Sequence, residues 1–202
     1  AMALTVDYYF APNSPWTYLG HERFAQIARA AGADINVLPV DLGGKVFPVS
    51  GGLPLAKRAP QRQAYRLLEL KRFSEFLGQP IVLQPKFFPV NADDAAKLII
   101  AVDMHDGSEA AMRIAGRILR GVWVDERNIA DARDLAKMLE AEGLPAQRLD
   151  ASMSQAVHQR YEQDSQRAIA AGVFGAPSYV VEGEIFWGQD RLDFLQRRLA
   201  KG

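Results

Sequence analysis

The chain opens on an apolar-rich run, residues 4–10 (LTVDYYF), that stops at the breaker cluster Ala11-Pro12-Asn13-Ser14-Pro15. β-Branched and aromatic residues closed by such a cluster predict a strand and then a turn. From Pro15 the period lengthens: Trp16, Leu19, Phe24, Ile27 and Ala31 fall near one face at helical spacing, and Gly32 ends the pattern. Ser14 then stands at or just before the helix start, with Pro15 in the first helical position, where its missing N–H costs nothing. Residues 35–40 (INVLPV) read as a second strand. A helix between two short strands predicts a right-handed βαβ unit with parallel pairing.

Residues 41–60 are rich in Gly and Pro and carry no period, which predicts a linker or a functional loop. Helical spacing returns over residues 64–76, followed by a second Pro-rich stretch at 79–89. Further helices are predicted over 91–103, capped by Asn91 with Asp93 and Asp94, and over 108–122, 129–142 and 151–171. Gly143 and Pro145 form a strong stop for the third of these. Strand signals reappear only at 178–181 and 184–187, separated by Glu182-Gly183 as a two-residue hairpin turn. A last helix covers 191–199.

A βαβ unit and a ββα unit closing on one mixed sheet make the thioredoxin architecture, here with a large helical block inserted between the halves. The expected organisation is a discontinuous α/β thioredoxin-like domain, 2–44 and 172–202, and an inserted helical domain, 45–171. Ala1 ahead of Met2 reads as an added residue and is left out of fold reasoning.

Composition narrows the function. Among 202 residues, 24 Lys and Arg balance 24 Asp and Glu, which argues against nucleic acid and polybasic membrane binding. The longest aliphatic run, 98–102, is far too short to span a bilayer, and no secretion signal opens the chain, so a cytoplasmic protein is expected. The absence of cysteine changes the picture most. It removes disulfides, thiolate metal sites and a cysteine nucleophile together, so a dithiol oxidoreductase is excluded. His21, His105 and His158 lie far apart, so no metal centre is expected.

Three positions carry candidate chemistry. Ser14 stands at a helix start, where unpaired N–H groups and the helix dipole stabilise an anion. In redox proteins of this architecture a C-x-x-C motif occupies that place; here it reads Ser14-Pro15-Trp16-Thr17, and plain N-capping is the alternative. Ala176-Pro177 precedes a strand and is a candidate cis bond that would leave the Ala176 main chain open to an extended peptide. An ordinary loop is the alternative there. Trp187-Gly188-Gln189-Asp190 opens the last helix, and Asp190 is either another cap or a partner for a ligand's ammonium group. Tyr8, Tyr9 and Phe10 read as core, His21 as a surface residue rather than a base, and Trp16 as core or as the roof of a pocket.

Together, DYYFAPNSPWTYLG (residues 7–20) and GVFGAPSYVVEGEIFWGQDRL (residues 172–192) resemble the 2-hydroxychromene-2-carboxylate isomerases. That family stands with the kappa-class glutathione transferases in the DsbA-like branch of thioredoxin folds. The resemblance implies that glutathione supplies the missing thiol and that Ser14 is the catalytic serine beside its sulfur. It implies that Ala176, before Pro177, pairs with the cysteinyl part, while Trp187, Gly188, Gln189 and Asp190 receive the γ-glutamyl end. Lys57 matches a family arginine that meets the substrate carboxylate, and Lys45 lies within one position of a family lysine. The implied reaction is isomerisation of an o-hydroxybenzylidene pyruvate by reversible thiolate addition, in a homodimer.

Two departures concern the acceptor. A substrate-contacting asparagine of the family is Ala56 here, and a tyrosine of the second Pro-rich stretch is Phe87. Both losses make the pocket more apolar, so the glutathione half is better supported than the acceptor half. A kappa-like transferase that keeps the adduct, and a non-catalytic glutathione- or peptide-binding module, are the alternatives.

Overall fold

The computed structural model describes residues 3–202. Ala1, Met2 and with them the expected domain start at residue 2 lie outside the described residues. Strand β1 (Thr5–Phe10) sits between β2 (Asp34–Pro39), parallel to it, and β3 (Ser178–Val181), antiparallel to it. Strand β4 (Glu184–Trp187) closes the order β2-β1-β3-β4. The predicted hairpin turn forms, with Glu182 at φ 48° and Gly183 at φ 81°, the paired positive values a tight two-residue turn demands.

Register fixes what gathers where. Phe10 pairs with Pro39, Tyr9 with Ser178, and Ser178 with Trp187. The exits of β1, β2 and β4 and the entrance of β3 therefore share one edge of the sheet. Ser14, the 41–60 segment, Ala176-Pro177 and residues 188–190 all leave from that edge.

Alternation along the strands divides the core. Val6, Tyr8, Phe10, Tyr179 and Val181 face α1 (Pro15–Ala30) and the helical block, in one continuous apolar cluster. Tyr8 stacks on Phe10 at 4.5 Å and on Tyr179 at 5.5 Å. Tyr9, Leu38, Val40 and Val180 face the other way, where Val46 and Ala168 cover them.

The middle of the chain is more regular than its sequence suggests. Asp41 accepts a bond from the Gly44 amide at 2.9 Å and starts a π turn, Leu42–Val46. A short helix α2 (Phe47–Ser50) and a 3-10 turn (Leu55–Lys57) follow, so this segment is a series of helical turns. Helix α3 (Pro60–Leu77) begins earlier than predicted. Its inward stripe is Arg66, Leu70, Phe73 and Leu77, of which Leu70 is fully buried and Phe73 and Leu77 pack on the core.

Helices α4 (Asp93–Asp106), α5 (Ser108–Trp123) and α6 (Ala132–Ala141) complete the block's core. Asn91 is not the cap of α4. It stands two residues before the helix, its Oδ1 accepts from the Asp93 amide at 2.8 Å, and Ala92 holds the cap position. Asp131 caps α6, three residues later than predicted, because Asn128–Ala130 form a turn of their own. The predicted 151–171 helix starts only at Gln155, as α8 (Gln155–Ala170) with Ser154 capping it through the Val157 amide, and a separate short helix α7 (Arg148–Ala151) precedes it. The chain ends in α9 (Leu192–Lys201). Among the described residues no helix is long and apolar enough to cross a membrane.

Candidate active site

Ser14 is the N-cap of α1, half-buried, with Pro15 at the first helical position. Its Oγ accepts a bond from the Thr17 amide at 3.1 Å. The hydroxyl proton remains free to donate, because accepting uses only an oxygen lone pair. Thr17 itself is fully buried, and among the described residues its Oγ1 has no partner. One helical turn behind Ser14 there is thus a hydroxyl without a bond among the described residues, and the dipole of the helix start favours negative charge there.

Across the sheet edge the Ala176–Pro177 peptide is cis, as is Phe88–Pro89. Ala176 is half-buried, and among the described residues its main-chain N–H and C=O bond to no other group. The Gly188 amide donates to the Pro177 carbonyl at 2.8 Å, which draws the start of the last helix against this turn. Gly175 permits the packing: a Cβ there would stand 2.5 Å from Trp187 Nε1. Trp187 is about half exposed and packs on Phe174 at 5.0 Å.

Gln189 and Asp190 part company. Gln189 is 2% exposed, lies against Gly20 of α1, and accepts from Arg23 through both its main-chain and its side-chain carbonyl. It ties the start of the last helical segment to the middle of α1. Asp190 is exposed and does not cap α9; its Oδ2 meets Arg191 at 3.3 Å, and the cap position falls on Arg191. The carboxylate is exposed, with Arg191 as its partner.

The candidate substrate residues are spread around this edge. Trp16 is half-buried and meets Phe73 of α3 edge-on at 5.9 Å. Phe87 is half-buried, with the Lys86 ammonium 5.2 Å above its ring. Lys57 is exposed at the end of the 3-10 turn and enters no ion pair among the described residues. Lys45 instead lies 3.4 Å from Glu162 of α8.

His21 corrects the surface expectation. It is 2% exposed, with Nε2 2.8 Å from the Met112 carbonyl and Nδ1 2.8 Å from the Tyr8 hydroxyl. A carbonyl can only accept, so the proton sits on Nε2 and Nδ1 accepts from Tyr8. Burial lowers the His21 pKa, against the opposing pull of the Met112 bond and of Glu22, and the ring is neutral in the core.

Sequence reading passed over Asn13 and Arg66. Asn13 donates to the Val90 carbonyl at 3.0 Å, tying the Ser14 turn to the segment that carries Phe87 and Phe88. Arg66 lies on the inward stripe of α3, its guanidinium 5.6 Å from the Phe88 ring centre and 5.9 Å from that of Trp123. A charge on an otherwise apolar stripe was the available signal.

The DSBA-like thioredoxin domain model matches residues 5–200. The chain belongs to the DSBA-like thioredoxin domain family. This DSBA-like chain is 29% identical over 199 residues to 2-hydroxychromene-2-carboxylate isomerase from Sphingobium xenophagum, covering 98% of the chain and 99% of that protein. It is 25% identical to glutathione S-transferase kappa 1 from Caenorhabditis elegans, over 94% of the chain and 88% of that protein. The solved structure of a 2-hydroxychromene-2-carboxylate isomerase superposes with a TM-score of 0.81 at 25% identity, over 98% of this chain and 95% of that one. The DSBA-like chain is an enzyme, related over its length to isomerases and to a transferase. Its sequence contains no cysteine.

Proposed function

We propose that this enzyme isomerises an unsaturated aromatic carboxylate with glutathione as cofactor, in the manner its isomerase relatives' name suggests. The observation that carries the reading is the pairing of Ser14 at the start of α1 with an unbonded Ala176 main chain at the same sheet edge.

When bound, glutathione supplies a thiol nucleophile that the polypeptide lacks. The Ser14 hydroxyl donates toward that sulfur, and the start of α1 favours its charged form. The Ala176 N–H and C=O receive an extended peptide as a sheet edge does. Asp190 faces the ammonium group of the γ-glutamyl end, with Trp187, Gly188 and Gln189 shaping that side. Lys57 attracts the acceptor's carboxylate at the mouth, and Trp16 and Phe87 offer apolar surface to its ring.

A second reading is favoured by Ala56 and Phe87. An apolar wall admits electrophiles other than hydroxychromenes, and a transferase that releases the conjugate fits the kappa relative. One experiment separates the two: ultraviolet spectra of a series of benzylidene pyruvates, with enzyme, with and without glutathione. Interconversion that requires catalytic glutathione supports the isomerase, and stoichiometric loss of glutathione supports the transferase. Spectra identical with and without enzyme overturn both.

A further inference from the structure

Helix α3 carries a cation where its packing calls for an apolar side chain. Arg66 stands one turn before the fully buried Leu70 and two turns before Phe73, the residue that Trp16 meets edge-on. Its guanidinium rests against Phe88, and Phe88 lies two residues from Val90, the partner of Asn13. Arg66 is thus linked to the Ser14 turn along two routes, through the α3 face and through the 88–90 segment. Along α3, Arg66 and Phe73 stand on the order of 10 Å apart, at 1.5 Å per residue. That is the reach of a small arylalkenoate.

The charge has no counter-ion. Among the described residues the Arg66 side chain makes neither an ion pair nor a hydrogen bond, and the Arg58 guanidinium bonds only to the Leu53 carbonyl, at 2.9 Å. The Trp123 indole N–H in the same cluster is buried and lacks an acceptor too. Burial, and then the charge of Arg58, push the Arg66 guanidinium down to about 10, with no carboxylate acting the other way. Two neighbouring half-buried cations without an anion are costly, and a fork of N–H donors is shaped for a carboxylate. Surface lysines such as Lys57 give attraction from a distance; a desolvated guanidinium gives discrimination.

We propose that Arg66, held against Phe88, is the specificity-determining residue that receives the carboxylate of an aromatic acceptor. The role of that acceptor rests on the reading above, but its binding does not. Glutathione also carries carboxylates, so the test has an arm for each source.

Calorimetry without glutathione compares cinnamate with neutral cinnamide on the wild-type protein, Arg66→Gln, Arg66→Lys and the remote Arg113→Gln. Cinnamate should bind wild type, bind Arg66→Gln at least about ten-fold more weakly, and bind Arg66→Lys with intermediate affinity. Arg113→Gln should match wild type, and cinnamide should not distinguish any of the four. A separate titration with glutathione should give the same dissociation constant for wild type and Arg66→Gln within about two-fold, a small energy on the RT scale. Absence of cinnamate binding to wild type overturns the proposal, as does equal binding by Arg66→Gln or a loss confined to glutathione. Should Arg66→Gln not fold, the order of wild type over Arg66→Lys decides. A protein that binds cinnamate through Arg66 and takes no glutathione would sink the cofactor reading and leave this one standing.

Discussion

Asn13 reaches across 77 positions of sequence to bond the Val90 carbonyl with its side-chain amide, at 3.0 Å. The residue before Ser14 is thereby fastened to the turn that presents Phe87 and Phe88. Asn13→Ala should lower the stability by about 1 kcal/mol, the typical net worth of one hydrogen bond. Urea unfolding would measure it. The same variant should raise the KM for carboxylate acceptors, since the 87–90 segment loses its tie to the site.

Ser14 has two roles that substitution can separate. Ser14→Ala removes the acceptor of the Thr17 amide and should cost about 0.5–2 kcal/mol, whereas Ser14→Gly should cost only a few tenths. Both remove the hydroxyl, so both should lower turnover alike while glutathione binding stays largely intact. Turnover that followed stability rather than the hydroxyl would reduce Ser14 to a cap.

Asp190 lies over Gly188, where φ is 99° and a Cβ would approach Asp190 Oδ1 to 2.4 Å. Gly188→Ala should therefore destabilise by about 1–3 kcal/mol, combining a strained backbone with a displaced carboxylate. Asp190→Asn leaves the backbone alone. It should weaken glutathione by about 1–3 kcal/mol if the carboxylate meets an ammonium group, with little change in the unfolding midpoint. Calorimetry and denaturation on the same pair of variants would check both statements.

His21 predicts a pH response. Neutral in the core, it takes up a proton only when the chain unfolds, so the unfolded state binds more protons below the ordinary histidine value of 6.5. Stability from this source is complete above 6.5 and falls as the pH drops through and below it. His21→Gln, which does not titrate, should flatten the melting-temperature profile between about pH 7 and about pH 5. A wild-type profile already flat over that range would contradict the neutral core assignment.

The sheet was open to reading because its signals are local. Breakers at 11–15, alternation in 4–10 and the Glu182-Gly183 turn each act over a few residues, and they placed β1, α1 and the hairpin within a residue or two. Caps were less secure. Asn91 and Ser154 are equally good cap types, and only the packing of α4 and α8 decided that one lies outside its helix and the other restarts one.

By itself the sequence determined the alternation of strand and helix, the lack of any protein thiol and the serine at a helix start. Periodicity, composition and capping are properties of neighbouring residues and survive without a fold. The tertiary structure decided that four separate segments meet at one sheet edge, because strand register, not spacing along the chain, sets that meeting. It decided that Gln189 braces α1 through Arg23 while Asp190 stays exposed. It took His21 into the core and left Arg66 without a counter-ion among the described residues, since burial and charge pairing depend on residues that only folding brings within a few ångströms.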